Sequence, residues 1–303
     1  MITLKNVGLI LFDIDGVIRS VENSYRLSLK KTVYKFSGWE PSYMDIDNAK
    51  NEGIWNNDWD LSLEFIKRFK KKRNLNIEIP PREEIVKCFE ELYFGGDPNE
   101  DSKYWSGFIK NEELLVDKKL FNLLESNGII WGFVSGAESA SAKFVLEKRL
   151  GLKSPPLISM GDAPDKPDPK GLIELSKKLI GGKLGTSNIP IGYVGDTIAD
   201  INTVMNAKKE IPSQKFVSIG IAPPHLHVKS RLNERKSYEK NLQDAGADLI
   251  LNSINEINKS SKEFFLCFFL IRILIFYKRF QKFIEKYWFN FIRHRWCNTQ
   301  RGE

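Results

Sequence analysis

One stretch of the sequence decides the fold of this chain: Val7-Gly8-Leu9-Ile10-Leu11-Phe12-Asp13-Ile14-Asp15-Gly16-Val17. Its continuous apolar run, residues 7–12, is typical of a buried strand in a parallel sheet. Two carboxylates, Asp13 and Asp15, follow this strand, and ligands of open α/β sheets bind at that end of the strands. Two acids there suit a hard cation with an anionic substrate, or a nucleophile beside a proton donor. The alternative without a chemical role is a capped loop after a core strand.

Three later segments repeat this arrangement of an apolar run that ends in polar groups. They are 129–134 before Ser135-Gly136, 157–160 before the loop with Lys166-Pro167, and 191–194 before Gly195-Asp196-Thr197 and Asp200. Because the carboxyl ends of parallel strands share one edge of a sheet, these groups are expected to assemble into one site.

Strand and helix patterns alternate through most of the chain. Helices are predicted at 112–126, 139–150, 170–180 and 200–207, and final strands at 217–222 and 248–251. This alternation predicts an α/β fold with a doubly wound parallel sheet.

A long insert separates the first two polar groups, because Ser135 follows Asp13 by 122 positions. Apolar residues recur at helical spacing over 24–36 and 61–69, and Pro80-Pro81 precedes a third helical pattern over 82–93. We therefore predict a helical domain at 19–107 and a core domain made of 1–18 and 108–258. A helical domain with no role in chemistry is the alternative.

These residues resemble the four motifs of the haloacid dehalogenase superfamily, over roughly residues 7–258. The motifs are Asp13-Ile14-Asp15-Gly16-Val17, Ser135-Gly136, Lys166-Pro167, and Gly195-Asp196-Thr197 with Asp200. The helical insert resembles the cap of subfamily IA, whose members include phosphoglycolate phosphatase-like proteins. The resemblance implies a Rossmann-like core and a cap that closes over the site and selects substrates. One departure is minor: Val17 replaces the commoner threonine.

The resemblance implies that Asp13 is a nucleophile that forms an aspartyl-phosphate, which splits one hard hydrolysis into two easier steps. Asp15 is then the general acid that protonates the leaving oxygen and the base that activates water. Asp15 also argues against a dehalogenase, because a halide leaves without a proton.

The phosphoryl oxygens are expected to contact Ser135, the backbone N–H of Gly136, and Lys166. Lys170 is the rival lysine, and we favour Lys166 because the lysine–proline pair is the pattern of the superfamily. The alternatives are a helix cap for Ser135 and a solvated loop lysine for Lys166.

A phosphate beside several carboxylates needs a cation, and Mg²⁺ prefers oxygen ligands. We predict that Asp13, Asp196 and the main-chain carbonyl of Asp15 bind it. Asp200 lies one helical turn after Asp196. It is expected to orient a metal-bound water or Lys166 rather than bind the metal.

The sequence says less about the substrate. Arg19 is a candidate contact for a second anionic group. Asn57 and Asp58 are candidates for bonding hydroxyls, and Trp59 for stacking on a sugar or excluding water. The alternative is that Asp58 caps the helix that begins near Leu61, while Trp59 fills the core. Phosphoglycolate and sugar phosphates both suit such a cap.

The net charge of +7 lies entirely in the tail, since residues 259–303 contain ten Lys or Arg and three Asp or Glu. The rest of the chain has equal numbers of basic and acidic residues, so it lacks the excess of basic residues that is typical of nucleic-acid binding. The three cysteines fit neither a disulfide framework nor a zinc site, so we expect a cytoplasmic protein. The basic, aromatic part 263–303 suits weak contact with an anionic membrane surface. A helix packed on the body, or an extension with no selected role, is the alternative.

The sequence therefore predicts an Mg²⁺-dependent phosphatase that acts on a small phosphorylated metabolite. Two other interpretations stay open: a phosphomutase on the same scaffold, and a membrane-attached, non-catalytic binding protein. The sequence does not indicate the oligomeric state.

Overall fold

The computed structural model describes residues 7–55, 57–185 and 189–257. Its central sheet is entirely parallel, with strand order β5-β4-β1-β6-β7-β8. These strands are β1 (Gly8–Phe12), β4 (Ile129–Val134), β5 (Leu157–Ile158), β6 (Ile191–Gly195), β7 (Phe216–Ile221) and β8 (Leu249–Leu251). A separate antiparallel pair joins β2 (Arg19–Ser20) to β3 (Glu113–Leu114). The doubly wound parallel sheet expected from the sequence is confirmed.

The helices fall into two groups along the chain. Between β2 and β3 lie the cap helices: α1 (Tyr25–Ser37), α2 (Tyr43–Lys50), α3 (Asp58–Arg73) and α4 (Arg82–Tyr93). The others are α5 (Lys118–Ser126), α6 (Ser139–Lys143), α7 (Lys170–Ile180), α8 (Ile198–Glu210) and α9 (Leu232–Asp244). A π-helix, Phe144–Arg149, continues α6.

The position of β1 sets the position of the site. Within the sheet, β4 and β5 lie on one side of β1. The chain then crosses to β6, which pairs with the other side of β1. The strand order thus reverses beside β1, and ligand crevices of open α/β sheets open at such a point, beyond the carboxyl ends of the strands. Both neighbours of β1 end next to it, since Phe12 pairs with Phe133 and with Val194.

Buried apolar side chains fix the core around these strands. All five residues of β1 and of β6 are buried, because helices cover both faces of the sheet. One cluster combines strand residues with side chains of α7 and α8: Leu9, Leu11, Val134, Leu172, Leu175, Ile191, Tyr193 and Val204. Burying each Leu, Ile or Val side chain contributes roughly 1.5–3 kcal/mol before entropy is subtracted.

The cap helices share an apolar cluster, against which Ala140 of α6 and Phe144 of the π-helix also pack. Its buried members include Tyr25, Leu29, Leu61, Phe65, Ile85, Phe89, Tyr93 and Trp105. The short pair β2–β3 carries the chain into and out of this bundle.

Most predicted elements are confirmed, and α7 and α4 match the predicted bounds. The helix predicted at 112–126 is wrong in its first part, because it begins at Lys118. Asp117 is the N-cap, and its side chain accepts a hydrogen bond from the backbone N–H of Lys119. Glu112 instead lies buried before β3. Helix α2 was not predicted, although Ser42 and Asp45 form a capping box at its start.

The tail prediction falls on residues outside the described ranges. Membrane contact through 263–303 therefore stays a prediction. Within the described part, none of the helices combines the length and hydropathy needed to cross a bilayer.

Candidate active site

A pocket opens beyond the carboxyl ends of β1 and β6, with a cavity volume of about 60 Å³. Its core side is lined by Asp13, Asp15, Ser135, Gly136, Met160, Lys166, Asp196 and Thr197. The backbone N–H of Asp13 donates to the carbonyl of Val194 at 2.8 Å, which fixes the end of β1 against β6. The four motifs of the sequence therefore converge on one site.

Lys166 occupies the centre of the site between two carboxylates. Its Nζ lies 3.0 Å from Oδ2 of Asp13 and 2.5 Å from Oδ1 of Asp200. The hydroxyl of Tyr193 accepts from Lys166 at 3.2 Å and donates to the carbonyl of Val134 at 2.7 Å. All three charged groups are buried, so each is held by the others rather than by water.

Asp200 is committed to this network through both oxygens. While Oδ1 faces Lys166, Oδ2 accepts hydrogen bonds from the backbone N–H of Thr197 at 2.9 Å and from its hydroxyl at 2.7 Å. Thr197 and Asp200 thereby form the capping box that begins α8. This geometry suits the predicted role of Asp200 as the residue that orients Lys166.

Asp196 is fixed at its main-chain carbonyl, and its side chain packs against Gly16. The hydroxyl of Tyr238 donates to its main-chain carbonyl at 2.9 Å. Gly16 lies against its side chain with φ +75°, and a Cβ at Gly16 would lie 2.0 Å from Oδ2 of Asp196. The glycine of the first motif therefore makes room for the carboxylate of the fourth.

The carboxylates can accommodate a metal ion. Within the described residues, Asp13, Asp196 and Asp200 each place one oxygen within 4.8 Å of the others. Oδ1 of Asp13 is buried and has no hydrogen-bond partner among the residues that the structure describes. Because Asp200 is already saturated, Asp13 and Asp196 are the carboxylates that fit a hard cation such as Mg²⁺.

Burial dominates the electrostatics of the site. It raises the pKa of Asp13 to about 6; the charge of Lys166 opposes this rise, and Asp200 adds to it. Burial, with the charges of Asp200 and Asp13, raises the pKa of Asp196 well above its ordinary value. Burial thus disfavours the ionised forms of Asp13 and Asp196. A cation bound between them would stabilise both as carboxylates.

The same network has opposite effects on the other two members. Burial lowers the pKa of Lys166, but the carboxylates of Asp13 and Asp200 outweigh it and raise that pKa well above the ordinary value. For Asp200, burial is outweighed by Lys166 and by the hydrogen bonds from Thr197, which lower its pKa. Lys166 thus stays charged beside the candidate nucleophile.

Cap residues line the opposite side of the pocket: Val21, Tyr25, Arg26, Lys50 and Asp58. The cations have partners within the cap, since Arg26 Nη1 lies 2.6 Å from Asp47 Oδ1 and Lys50 Nζ lies 2.5 Å from Asp58 Oδ1. Sequence analysis missed Tyr25, Arg26 and Lys50, and no local pattern in the sequence marks them. Tyr193 was also missed, although a tyrosine inside a buried strand signals a polar partner.

The structure does not bring three predicted substrate contacts to this pocket. Arg19 is fully buried and paired with Asp15 and Glu112. Asn57, not Asp58, is the N-cap of α3, and it accepts from the backbone N–H groups of Trp59 and Asp60. Trp59 packs on the cap cluster. Arg19 and Trp59 are thus held by tertiary contacts, and Asn57 by a local helix cap.

No protein-family model matches the chain. An imidazoleglycerol-phosphate dehydratase from Phytophthora nicotianae is 29% identical over 250 residues, which cover 81% of this chain and 50% of that protein. The chain thus spans about half the length of this curated relative.

Solved structures share the fold at low identity. A haloacid dehalogenase-like protein of unknown function from Agrobacterium tumefaciens superposes with a TM-score of 0.56 at 15% identity, covering 84% of this chain and 98% of the other. A predicted phosphoglycolate phosphatase from Haemophilus somnus gives 0.56 at 17% identity, covering 86% and 100%. The resemblance carried by the four motifs is thus confirmed in three dimensions, and the chain has the fold of the haloacid dehalogenase superfamily.

Proposed function

We propose that this protein is an Mg²⁺-dependent phosphatase that hydrolyses a small phosphorylated metabolite through an aspartyl-phosphate on Asp13. The observation that supports the proposal best is the buried pair of Asp13 and Lys166 at 3.0 Å, facing a pocket that Asp15 also lines. A carboxylate held beside a fixed cation, with a second acid nearby, has the parts that phosphoryl transfer requires.

In the first step, an oxygen of Asp13 attacks phosphorus while the bond to the leaving oxygen breaks. Asp15 gives its proton to that leaving oxygen. Lys166 pairs with a phosphoryl oxygen, and Ser135 and Gly136 line the same pocket.

In the second step, water attacks phosphorus and the bond between phosphorus and Asp13 breaks. The water loses a proton to Asp15, so both carboxyl groups return to their starting states. Mg²⁺ held by Asp13, Asp196 and the main-chain carbonyl of Asp15 would offset the negative charge gathered around the phosphate.

The pocket favours a small substrate, because its cavity volume is about 60 Å³ and cap residues line part of it. Tyr25, Arg26, Lys50 and Asp58 offer hydrogen-bonding groups there. Phosphoglycolate and sugar phosphates are the first candidates. Imidazoleglycerol phosphate belongs in the same panel, because the Phytophthora relative is named for it.

The test is phosphate release by purified protein from p-nitrophenyl phosphate and from this panel, with and without Mg²⁺. We expect Mg²⁺-dependent turnover that Asp13→Asn abolishes. The matched control is Asp117→Asn, an exposed position where asparagine is an equally good N-cap. Incorporation of labelled phosphate into the protein should disappear in Asp13→Asn alone.

Two other results would overturn the proposal. Transfer of phosphate between positions of one sugar, with little free phosphate, would indicate a phosphomutase. No turnover at all, together with binding to anionic vesicles that depends on residues 263–303, would indicate a non-catalytic binding protein.

A further inference from the structure

A buried ion pair joins the two chain segments that connect the cap to the core. Arg19 lies in β2, where the chain enters the cap, and Glu112 lies directly before β3, where the chain leaves it. Nη1 of Arg19 lies 3.0 Å from Oε2 of Glu112, and both side chains are fully buried. The two residues are 93 positions apart in sequence.

The same guanidinium contacts Asp15, which lines the pocket. Nε of Arg19 donates to Oδ1 of Asp15 at 2.6 Å. The backbone supports this contact, because the N–H of Gly16 donates to the carbonyl of Arg19 at 2.9 Å and folds the chain back over Asp15. Asp15 itself lines the pocket, and its side chain is 25% exposed.

The far end of the network is anchored in the cap. Oε1 of Glu112 accepts hydrogen bonds from the hydroxyls of Tyr93 at 2.8 Å and Ser24 at 2.9 Å. Nη2 of Arg19 also donates to Oγ of Ser141 at 3.3 Å. Each buried polar group here therefore has a partner, and the positions of Arg19 and Asp15 are fixed from both cap connections.

A purely structural ion pair would need only Arg19 and Glu112. Nε of Arg19 instead donates to the partly exposed carboxylate of Asp15 in the pocket, and this extra contact points to a further role. An arginine suits it, because its planar fork holds two carboxylates at fixed angles, whereas an ammonium acts as a point charge.

We propose that Arg19 is a positioning residue for Asp15, and that Glu112 holds Arg19 in place. This inference rests on the proposed phosphatase function, in which Asp15 protonates the leaving oxygen. It replaces the substrate contact that the sequence suggested for Arg19. The two cap connections thereby set the orientation of the acid–base group.

The test compares two substrates that differ in their need for a proton. An alkyl phosphate needs protonation of its leaving oxygen, whereas the phenolate of p-nitrophenyl phosphate leaves readily without it. We define the leaving-group ratio as kcat/KM for the alkyl phosphate divided by kcat/KM for p-nitrophenyl phosphate. Loss of Asp15 positioning should lower this ratio, because general acid catalysis contributes roughly 10²–10⁴-fold.

Arg19→Met leaves Glu112 buried without its cation, so the main variant is the double change Arg19→Met with Glu112→Gln, which removes both charges. We expect its leaving-group ratio to fall about tenfold or more. Arg19→Lys, which keeps the charge and one contact, should give an intermediate ratio. Ser141→Ala removes the longest of the three contacts of Arg19, at 3.3 Å, and should lower the ratio far less than the double variant does.

The outcomes separate this inference from the function on which it rests. A wild-type protein without Mg²⁺-dependent phosphate release contradicts the proposed function. An active wild type whose folded double variant loses activity equally on both substrates overturns the positioning role, since general damage lowers both values alike. Circular dichroism and thermal unfolding establish that each variant is folded.

Discussion

Lys166 and Asp13 form a buried ion pair, with Nζ of the lysine 3.0 Å from Oδ2 of the aspartate. These residues come from separate loops, one after β5 and one after β1. Their contact places a permanent positive charge beside the atom that we propose as the nucleophile. Asp200 shares the same ammonium group, so the charge is held in position before any substrate arrives.

Replacing Lys166 by methionine should lower kcat/KM by about a hundredfold or more, because the charge that balances the phosphoryl oxygens is lost. It should also destabilise the fold by about 3–5 kcal/mol, since two buried carboxylates lose their partner. Lys170→Met is the matched control, because Lys170 is exposed at the start of α7. Phosphate release and denaturant unfolding measure both effects. Equal activity of the two variants would contradict the role of Lys166.

Gly16→Ala tests the packing between the first and fourth motifs. The added Cβ would lie 2.0 Å from Oδ2 of Asp196, so this carboxylate must move. A displacement of about 1 Å at a catalytic site costs roughly a hundredfold in rate. We therefore expect activity to fall by that order, with weaker apparent affinity for Mg²⁺.

The control for this change is Gly38→Ala. Gly38 has a similar φ of +73°, but a Cβ there meets no atom within 4 Å. Its replacement should cost about 1–2 kcal/mol of stability from the left-handed backbone alone and leave kcat/KM unchanged. If both variants keep wild-type kcat/KM, Gly16 does not serve Asp196.

Local sequence patterns were sufficient to predict the sheet and the four motifs. Strand β4 and helix α7 match their predicted bounds, because apolar periodicity and turn residues are properties of short segments. Asp13, Lys166 and Asp196 converge because parallel strands end at a common edge, which is a general rule of the fold.

Long-range contacts explain what the sequence could not predict. Arg19 looked like a substrate contact, but its partner Glu112 lies 93 positions away. Arg26 and Lys50 reach the pocket only because of how the cap helices pack. The start of α5 was placed too early, because nothing local shows that Glu112 is drawn into a buried ion pair.

Asp13→Asn should stabilise the metal-free protein. Burial raises the pKa of Asp13 from 3.8 to about 6, so at about pH 8 its charge costs the folded state more than the unfolded state. The stability that protonated Asp13 contributes is fully present below its unfolded pKa of 3.8. It is lost as pH rises through the folded pKa of about 6. Removing the charge should therefore raise the free energy of unfolding by up to about 3 kcal/mol.

Magnesium should reverse this order. At about a hundred times its Kd, Mg²⁺ should stabilise the wild type by about 2.7 kcal/mol, and it should affect Asp13→Asn far less. Urea unfolding with EDTA or with excess Mg²⁺ measures both effects. An identical Mg²⁺ response in the two proteins would rule out Asp13 as a ligand.

A buried histidine links the cap to the core and predicts a pH effect on stability. Nε2 of His225, after β7, lies 2.9 Å from Oδ2 of Asp47 on α2. Arg26 and Arg231 also face Asp47, at 2.6 and 3.8 Å. Burial lowers the pKa of His225 below its ordinary 6.5, against the opposing effect of Asp47. The unfolded chain therefore binds a proton that the folded chain resists.

The sign of the effect follows from this difference. Stability from neutral His225 is fully present above pH 6.5 and is lost as pH falls from there toward the folded pKa. His225→Gln should remove this loss, which has a slope of up to about 1.4 kcal/mol per pH unit. Both proteins are best compared in a His227→Gln background, because burial also lowers the pKa of His227. If unfolding free energies of the two proteins fall in parallel below pH 6.5, His225 does not carry the effect.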